Sequence, residues 1–475
     1  MGSIEKATVW FSSFIWGIPL LIIVMGGGLF FMIYSKFSPF LYLRHAINIL
    51  RGKYDESHEE GQISHYEALS TAIASTVGMG NISGVAVAIS MGGPGAIFWM
   101  WVSAFVGMTT KFFTCTLAVM YRGKDSEGEV RGGPMYVITE GLGKKWKPMA
   151  MFFCVVGLFG ALPIFQANQL TAAMNAVVGP MAGYDAADTF SFLGADISTA
   201  SFVTGIVLMI VVSTVIFGGI KKISKVASKL VPSMVALYFV LVLYILFQNL
   251  GGIPDIFASI FSEAFSGNAM LGGGIGAVII VGAKRAAFSN EAGLGTAPMV
   301  HGDSRTKEPV REGLVAMLGP AIDTLIVCTL TALVILGTGV YEAQLGAQDT
   351  GLLGVTLTLD AFNQAIPGVG GYLLSICILI FAISTLLSYS YYGVKCMSYL
   401  FGAKYGNLYN YIYIGTIVIG AVASLTFVVS LIDGGFALMA IPTMISAIIL
   451  APKAMKAAKD YFHRYNNGLL TDEKK

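Results

Sequence analysis

The sequence predicts an all-α polytopic membrane protein with eleven transmembrane helices. The 475-residue chain is 55% hydrophobic and only 12% charged, whereas soluble domains carry roughly 25% charged residues. Apolar segments long enough to cross a bilayer, about 20 residues each, recur from one end of the chain to the other. The connections between them alternate between basic ones and ones without Lys or Arg. These observations leave no room for a large soluble domain.

The predicted spans follow one another with short connections. They are 8–34, 65–91, 96–121, 148–178, 199–219, 223–250, 256–287, 310–336, 370–401, 409–431 and 435–457. The first is kept as a membrane helix because it is longer than the apolar core of a signal peptide and lacks a cleavage motif. An amphipathic segment, 39–50, is expected to lie at the membrane interface.

Basic residues mark alternate connections, and this pattern predicts the orientation. Lys and Arg occur at 35–64, 122–147, 221–225, 284–311, 395–404 and in the C-terminal tail. The connections 92–95, 179–197, 251–262, 339–369 and 432–434 contain none. Because basic connections remain in the cytoplasm, the N-terminus is predicted outside and the C-terminus inside.

The layout also indicates an inverted repeat within a single transmembrane domain, 1–475. One extra helix, 8–34, precedes a first set of five spans, 65–250, and a second set, 256–457, and a cytoplasmic tail, 458–475, follows. Each set begins with a glycine-interrupted helix, and the two interrupted helices start on opposite sides of the membrane. Paired broken helices in inverted halves are typical of a transporter binding site.

The first interruption, 75–84, reads S-T-V-G-M-G-N-I-S-G. Glycine costs about 1 kcal/mol in a helix interior, and backbone groups freed within a bilayer must find other partners. A helix that unwinds here can offer the N–H and C=O groups of Gly78, Met79 and Gly80 to a small polar ligand. The alternative is a close helix–helix contact lined by small residues.

The second interruption reads L-G-G-G-I-G, and its glycines include Gly273, Gly274 and Gly276. It is expected to supply free carbonyls and open space. At the first interruption, a half-helix that begins near Asn81 directs N–H groups toward an anion such as a carboxylate. The carbonyls that end the preceding half-helix, near Thr76, suit an ammonium group or a sodium ion. Together the two breaks predict a site for a small zwitterion.

Polar side chains at membrane depth complete the candidate site. Gln169 follows Pro163, which is expected to kink the helix, and could donate to the carboxylate or join two helices. The adjacent hydroxyls of Ser384 and Thr385, with backbone carbonyls, are the oxygen ligands that hard cations prefer. The alternative is that these hydroxyls bond carbonyls of their own helix. Tyr389, one turn beyond Thr385, could form a wall of the pocket.

Asp323 lies deep in a predicted span, where a carboxylate is costly and is by default a functional residue. It could neutralise a cation, bind Asn81 or Thr324, or carry a proton that replaces sodium as the coupling ion. Glu291, in F-S-N-E-A-G-L-G, is predicted near the basic side with a structural or gating role. The five cysteines show no C-x-x-C pair and the histidines lack ligand spacing, so neither disulfides nor a metal centre of these residues is expected.

Six longer stretches are spread over nearly the whole chain. They read G-M-G-N-I-S-G-V-A, G-G-P-G-A-I-F-W-M-W, G-G-P-M-Y, F-S-N-E-A-G-L-G-T-A-P, M-L-G-P-A-I-D-T and S-Y-Y-G. These stretches resemble the alanine or glycine:cation symporter family, within the amino acid–polyamine–organocation superfamily. The resemblance implies a leucine-transporter-type fold, in which one extra helix precedes a five-plus-five inverted repeat. It also implies sodium-coupled import of alanine or glycine.

The resemblance further implies which residues form the site. The substrate would lie between the two broken helices, at 78–81 and 273–276, beside Gln169 and Thr385. Sodium would be held by two carbonyls and two hydroxyls, from the residues Ser75, Gly78, Ser384 and Thr385.

Departures from the family pattern leave the substrate open. The family commonly has G-T-G-N, where this chain has Met79 in place of the threonine. It often has W-S-Y-Y-G-E, where this chain has Tyr389 and Val394. The glycine run 272–274 is expected to leave the second break roomier. A larger neutral amino acid, such as glutamine or serine, is therefore an alternative substrate.

Other functional classes fit the sequence less well. A channel needs a continuous polar pore, whereas the polar residues cluster at mid-depth. An intramembrane enzyme needs a nucleophile–base pair or metal ligands, and the sequence contains no such motif. We expect the partners to be a small amino acid, sodium and the lipid bilayer, with no nucleic acid. The expected location is the inner membrane of a prokaryotic cell.

Overall fold

The structure, a computed structural model, describes residues 2–54, 61–177, 179, 188–192, 195–266, 274–346 and 354–470. Helices dominate these ranges, as the sequence predicts. The first half contains α1 Gly2–Ile15, α2 Ile18–Tyr34, α3 Leu43–Leu50, α4 His65–Thr76, α5 Gly80–Gly92, α6 Gly95–Met120, α7 Lys147–Gly160, α8 Ile164–Val177, α9 Thr199–Ile216 and α10 Gly219–Gln248.

The second half contains α11 Ile253–Ser266, α12 Gly274–Asn290, α13 Thr296–His301, α14 Pro309–Gly337, α15 Val340–Gly346, α16 Val355–Ala365, α17 Gly370–Phe401, α18 Leu408–Val422 and α19 Leu425–Asn466. Short helical turns lie at Ser38–Leu41, Pro134–Tyr136, Val137–Leu142, Lys144–Trp146, Leu250–Gly252 and Ala403–Gly406. Two antiparallel hairpins pair β1 Gly123–Lys124 with β2 Val130–Arg131 and β3 Thr189–Phe192 with β4 Ala195–Ser198.

Most of the predicted spans correspond to helices that could cross a membrane. Seven stretches of the described chain are by themselves long and apolar enough to cross a membrane. One of them, Lys144–Val177, combines α7 and α8, and the other six are α6, α9, α10, α14, α17 and α19. Two bent pairs, α1 with α2 and α4 with α5, raise this number to nine, and each pair is bent by 49°. The predicted span 256–287 is divided between α11 and α12, and residues 267–273 lie outside the described part. The predicted span 409–431 contains α18, a helix of 15 residues.

The predicted boundary between the last two spans, at 431–435, is wrong. The helix α18 ends at Val422, and Ala423 is extended with ψ 160°. The side chain of Ser424 then accepts a hydrogen bond from the N–H of Phe427 and caps α19, which continues without a break to Asn466. A single capping serine sets this boundary, and the apolar pattern on both sides does not reveal it. The start of the predicted tail, 458–475, is therefore still helical.

Several charges assigned to basic connections lie inside helices. Lys221, Lys222 and Lys225 belong to α10, and Lys395 belongs to α17. Lys284 and Arg285 belong to α12, and both contact the carboxylate of Asp433 on α19. Buried charges of opposite sign pair because an unpaired charge in a low-dielectric interior is costly. Arg305 and Lys307 still follow α13, so the connection between α13 and α14 remains basic.

The second interrupted helix has a break that faces the first broken helix. This break lies further along the chain than the predicted interruption, 271–276. Residues 291–295 separate α12 from α13. Glu291, Gly293 and Gly295 have φ angles of 56°, 84° and 98°, and three left-handed residues within five cannot continue a right-handed helix. The stretch F-S-N-E-A-G-L-G therefore interrupts the helix at a place that the sequence analysis did not predict. Of the predicted interruption, 271–276, residues 271–273 lie outside the described part.

The helices form two groups that pack around the first break. The first group contains α4 with α5, α6, α12 with α13, and α14. The second contains α7 with α8, α9, α17 and α18. The long helices α10 and α19 contact both groups. Each of the broken helices therefore lies at, or close to, the surface where the two groups meet.

Candidate functional site

The first broken helix unwinds at the predicted residues. Val77 follows α4 in an extended conformation with ψ 95°. The N–H of Gly78 donates to Asn81 Oδ1 at 2.8 Å, and the N–H of Asn81 donates to the carbonyl of Gly78 at 3.1 Å. Asn81 thus starts the second half-helix as predicted, and its own side chain caps one of the freed backbone donors.

Close packing requires one glycine of this break, Gly78, and leaves little room at a second, Gly80. A Cβ on Gly78 would lie 2.2 Å from Thr385 Oγ1, and a Cβ on Gly80 would lie 3.3 Å from the backbone of Ser289. Thr385 therefore touches the unwound segment directly, as expected, and the second broken helix contacts it from the other side. Met79, between the two glycines, is fully buried.

Asp323 joins both broken helices through its carboxylate. Asn81 Nδ2 donates to Asp323 Oδ1 at 2.7 Å. Ser289 Oγ and Thr324 Oγ1 each donate to Oδ2 at 2.7 Å. The two contacts predicted for Asp323, with Asn81 and Thr324, are both present. Ser289 was missed, although its place directly before the second break is a signal that could have identified it.

A buried lysine that the sequence analysis overlooked lies beside this cluster. Lys111, on α6, is 1% exposed, and it lies near the carboxyl groups of Glu291 and Asp323. A Cβ on Gly319 would lie 3.1 Å from Lys111 Nζ, so this glycine makes room for the ammonium group. A single lysine within an otherwise apolar helix was the available signal. The polar centre of the protein thus contains an amine as well as carboxyl groups.

Ser384 and Thr385 form an oxygen cluster with two backbone carbonyls. The Thr385 hydroxyl contacts the carbonyls of Ala74 and Phe381, both at 3.0 Å. The Ser384 hydroxyl contacts the same two oxygens, at 3.4 Å and 2.8 Å. Four neutral oxygens from α4 and α17 thus converge, and neutral oxygens are suitable ligands for a hard monovalent cation.

The α4 carbonyl in this cluster is that of Ala74, one residue before Ser75. The predicted sodium ligands were the carbonyls near Ser75 and Gly78. Successive carbonyls of a helix are rotated by about 100°, so a shift of one residue directs the oxygen elsewhere. The hydroxyl of Ser75 instead contacts the carbonyl of Ala72 and the hydroxyl of Tyr392, at 2.8 Å and 2.7 Å. The hydroxyl of Thr76 also bonds within its own helix, to the carbonyl of Ala72 at 2.9 Å.

Gln169 lies where the two helix groups meet, but its amide is already engaged. Its Oε1 accepts from the hydroxyl of Ser83 and from the N–H of Val355, the latter at 2.9 Å. Its Nε2 donates to Asn168 Oδ1 at 2.8 Å. Gln169 also lines a cleft of about 360 Å³ between α8, α16 and α18. The contact with Ser83 on α5 confirms that this side chain connects helices.

Of the other predicted residues that the structure describes, Tyr389 reaches the polar centre, whereas Gly274 and Gly276 do not. The hydroxyl of Tyr389 donates to Glu291 at the second break, which places Tyr389 beside the broken helix. A Cβ on Gly274 or Gly276 would meet nothing within 4 Å, so the structure does not bring these glycines to the buried cluster. Gly273 lies outside the described residues.

Known membrane transporters are similar to this chain. The model of the sodium:alanine symporter family matches residues 1–475. The sodium/alanine symporter AgcS of Methanococcus maripaludis is 40% identical over 95% of each chain. An uncharacterized transporter of Haemophilus influenzae is 39% identical over 97% of each chain.

The crystal structure of MhsT in complex with L-phenylalanine has a similar fold. Its TM-score is 0.55 with 16% identity, over 83% of this chain and 98% of the other. At this low identity the likeness shows the polytopic transporter fold alone. The family match and the relatives show that the protein is a membrane transporter of the symporter type and not an enzyme. The chain belongs to the sodium:alanine symporter family.

Proposed function

We propose that the protein is a sodium-coupled symporter that imports a small neutral amino acid, alanine or glycine, by alternating access. The observation that carries the proposal is the oxygen cluster of Ala74, Phe381, Ser384 and Thr385 beside the unwound segment at Gly78. A sodium ion in this cluster would join α4 to α17, and so would stabilise the contact between the two helix groups. Ion and substrate binding would then favour the same closed state, which is the thermodynamic requirement for coupling.

The substrate is assigned to the first break. The backbone at Gly78, Met79 and Gly80 offers polar groups, and Asn81 and Thr385 border it. In this assignment the second break, at 291–295, replaces Gly273, Gly274 and Gly276. Tyr389, which donates to Glu291 at that break, and Gln169, which accepts from Ser83 after the first break, remain candidates. Close packing of Thr385 and Ser289 against the glycines favours a small amino acid over glutamine.

We assign eleven spans to the transmembrane domain, with α1 and α2 as the extra first helix. The two broken helices would then each open one set of five, in opposite orientation. The basic connections support an N-terminus outside and a C-terminus in the cytoplasm. A bacterial or archaeal inner membrane is the proposed location, and the two relatives described above come from a bacterium and an archaeon.

Uptake of radiolabelled alanine into proteoliposomes tests this proposal. The full chain is assayed with and without an inward sodium gradient, and with glycine, serine and glutamine as competitors. We expect sodium-dependent uptake that only alanine and glycine inhibit. Inhibition by glutamine would contradict the assigned substrate. Equal uptake without sodium would contradict the assigned ion.

A proton is the second candidate for the coupling ion, because Asp323 is a buried carboxylate between the two broken helices. If protons drive uptake, Asp323→Asn abolishes uptake driven by a pH gradient. If sodium drives it, the wild-type chain transports at equal pH on both sides. Measuring both gradients separately on the wild type and this variant decides between the two ions.

A further inference from the structure

A polar strip on α17 faces the first helix group. Ser384 contacts the carbonyl of Ala74, and two turns further on Tyr392 contacts the hydroxyl of Ser75. Lys395, three residues beyond Tyr392, contacts Asp303. Ser384 and Tyr392 are eight residues apart and Tyr392 and Lys395 are three apart, and these spacings place all three on one face of the helix. The strip therefore leads from the candidate ion cluster toward the basic side of the protein.

The pair of Lys395 and Asp303 lies at the basic end of this strip and is buried. Lys395 Nζ lies 2.7 Å from Asp303 Oδ1 and donates to the carbonyl of Met299 at 2.5 Å. Asp303 also accepts from the hydroxyl of Tyr391 and, at 3.1 Å, from the N–H of Gly132. The contact thus joins α17, in the second helix group, to the segment that follows α13, in the first.

Asp303 is held firmly to the inner ends of both broken helices. The N–H of Gln62 donates to the carbonyl of Asp303 at 2.8 Å, and the N–H of Arg305 donates to the carbonyl of Ile63 at 2.6 Å. The carboxylate of Glu312 contacts His65 at the start of α4 and also His301, the last residue of α13. A movement of Asp303 away from Lys395 would therefore move both half-helices together.

We propose that Asp303 and Lys395 form the cytoplasmic gate of the transport path. The pair closes the route between the two helix groups, and its separation opens the candidate ion and substrate cluster toward the basic side. A buried ion pair is suited to this function because it is stable when closed and gains hydration when it opens. The inference rests on the alternating access proposed above.

The test measures how fast a thiol reagent reaches a cysteine placed behind the gate. Ser388 is buried on the same face, between Ser384 and Tyr392, and its hydroxyl bonds only within its own helix, to the carbonyl of Ser384 at 3.1 Å. A membrane-impermeant maleimide is added to inside-out vesicles that contain the full chain with Ser388→Cys. Mass spectrometry of the peptide reads labelling at this position, so the native cysteines remain in place.

We expect Asp303→Asn to raise the labelling rate about tenfold, because a minor open state of a few per cent becomes a major one. Lys395→Met removes the pair from the other side and should give the same increase, which guards against misfolding of one variant. Lys395→Arg keeps the charge and should label at the parent rate. In right-side-out vesicles neither removal should increase labelling.

The matched control is Asp460→Asn. The Asp460 side chain is 68% exposed and pairs with Arg464 at 2.9 Å within α19, so this pair does not join the two helix groups. It should leave the labelling rate unchanged. The gate would be overturned if Asp303→Asn and Lys395→Met raise the labelling rate no more than Asp460→Asn does. Because labelling needs neither sodium nor an amino acid, this result is independent of the uptake test for the proposed function.

Discussion

At the scale of single residues, the first break combines one tight contact with one ligand cluster. Gly78 has no room for a side chain because Thr385 occupies the space, and Thr385 in turn supplies a hydroxyl to the oxygen cluster. The same threonine therefore packs against the proposed substrate segment and belongs to the proposed ion site. A change at either residue should affect both bindings.

Gly78→Ala should lower sodium-driven alanine uptake by about tenfold or more. Its Cβ would lie 2.2 Å from Thr385 Oγ1, and overpacking of this kind costs about 1–3 kcal/mol. Gly84→Ala is the control, because its Cβ would lie 3.6 Å from the ring of Phe288, an ordinary contact. Initial uptake rates in proteoliposomes measure the effect. Equal loss in both variants would show that the contact with Thr385 is unimportant.

Thr385→Val should raise the sodium concentration for half-maximal uptake about tenfold. The substitution keeps the shape but removes one oxygen, and a hydrogen bond or contact to a charged group contributes about 1.5–3 kcal/mol. Ser388→Ala removes a hydroxyl that bonds only its own helix and should leave the sodium dependence unchanged. If Thr385→Val shows the same sodium dependence as the wild type, the ion does not bind at this cluster.

At the scale of helices, buried charges connect elements that are far apart in sequence. Asp433 on α19 accepts from Arg285 and, at 2.8 Å, from Lys284 on α12. Arg285 also lies over the ring of Phe288, with 5.3 Å between its guanidinium carbon and the ring centroid. These contacts hold the outer half of the second broken helix against the last helix.

Asp433→Asn should destabilise the protein by about 3–5 kcal/mol, because it leaves two largely buried cations without their carboxylate. Asp460→Asn is the matched control on the same helix. The Asp460 side chain is 68% exposed and pairs with Arg464 at 2.9 Å, and such exposed pairs contribute at most about 1 kcal/mol. Thermal unfolding in detergent compares the two variants. A Tm for Asp433→Asn as high as that of Asp460→Asn would refute the structural role of the buried pair.

At the scale of the whole molecule, the proposed orientation rests on the placement of charge. The described connections with basic residues carry Arg122, Lys124, Arg305 and Lys307, and Lys221 lies at the start of α10. By contrast, the short connection between α5 and α6 and the described part of the one that contains α16 carry no Lys or Arg. The alternation remains when basic residues near the helix ends are counted with the connections.

If a peptide tag is added to each end of the chain, we expect the N-terminal tag to be accessible from outside right-side-out vesicles and the C-terminal tag to be protected. Protease added outside should remove the first and leave the second intact, since basic connections remain in the cytoplasm. Inside-out vesicles should give the reverse result. Cleavage of both tags in intact right-side-out vesicles would contradict an odd number of spans.

The sequence by itself determined the features that depend on local pattern. Apolar length identified most of the helices, and the density of glycine placed the first break where α4 and α5 meet. Asp323 stood out because a carboxylate in an apolar segment is costly. The family was recognisable from motifs, since these are also read directly along the chain.

Only the tertiary structure decided which groups meet. Asn81 and Asp323 are 242 residues apart in sequence and Thr385 and Ala74 are 311 apart, so no local pattern relates them. How the helices are rotated against one another decides three features. The carbonyl of Ala74 and not that of Ser75 meets Thr385, the break at 291–295 faces the first one, and Lys111 lies beside Asp323. A rotation of about 100° per residue redirects every carbonyl and side chain, and only packing between distant helices fixes that rotation.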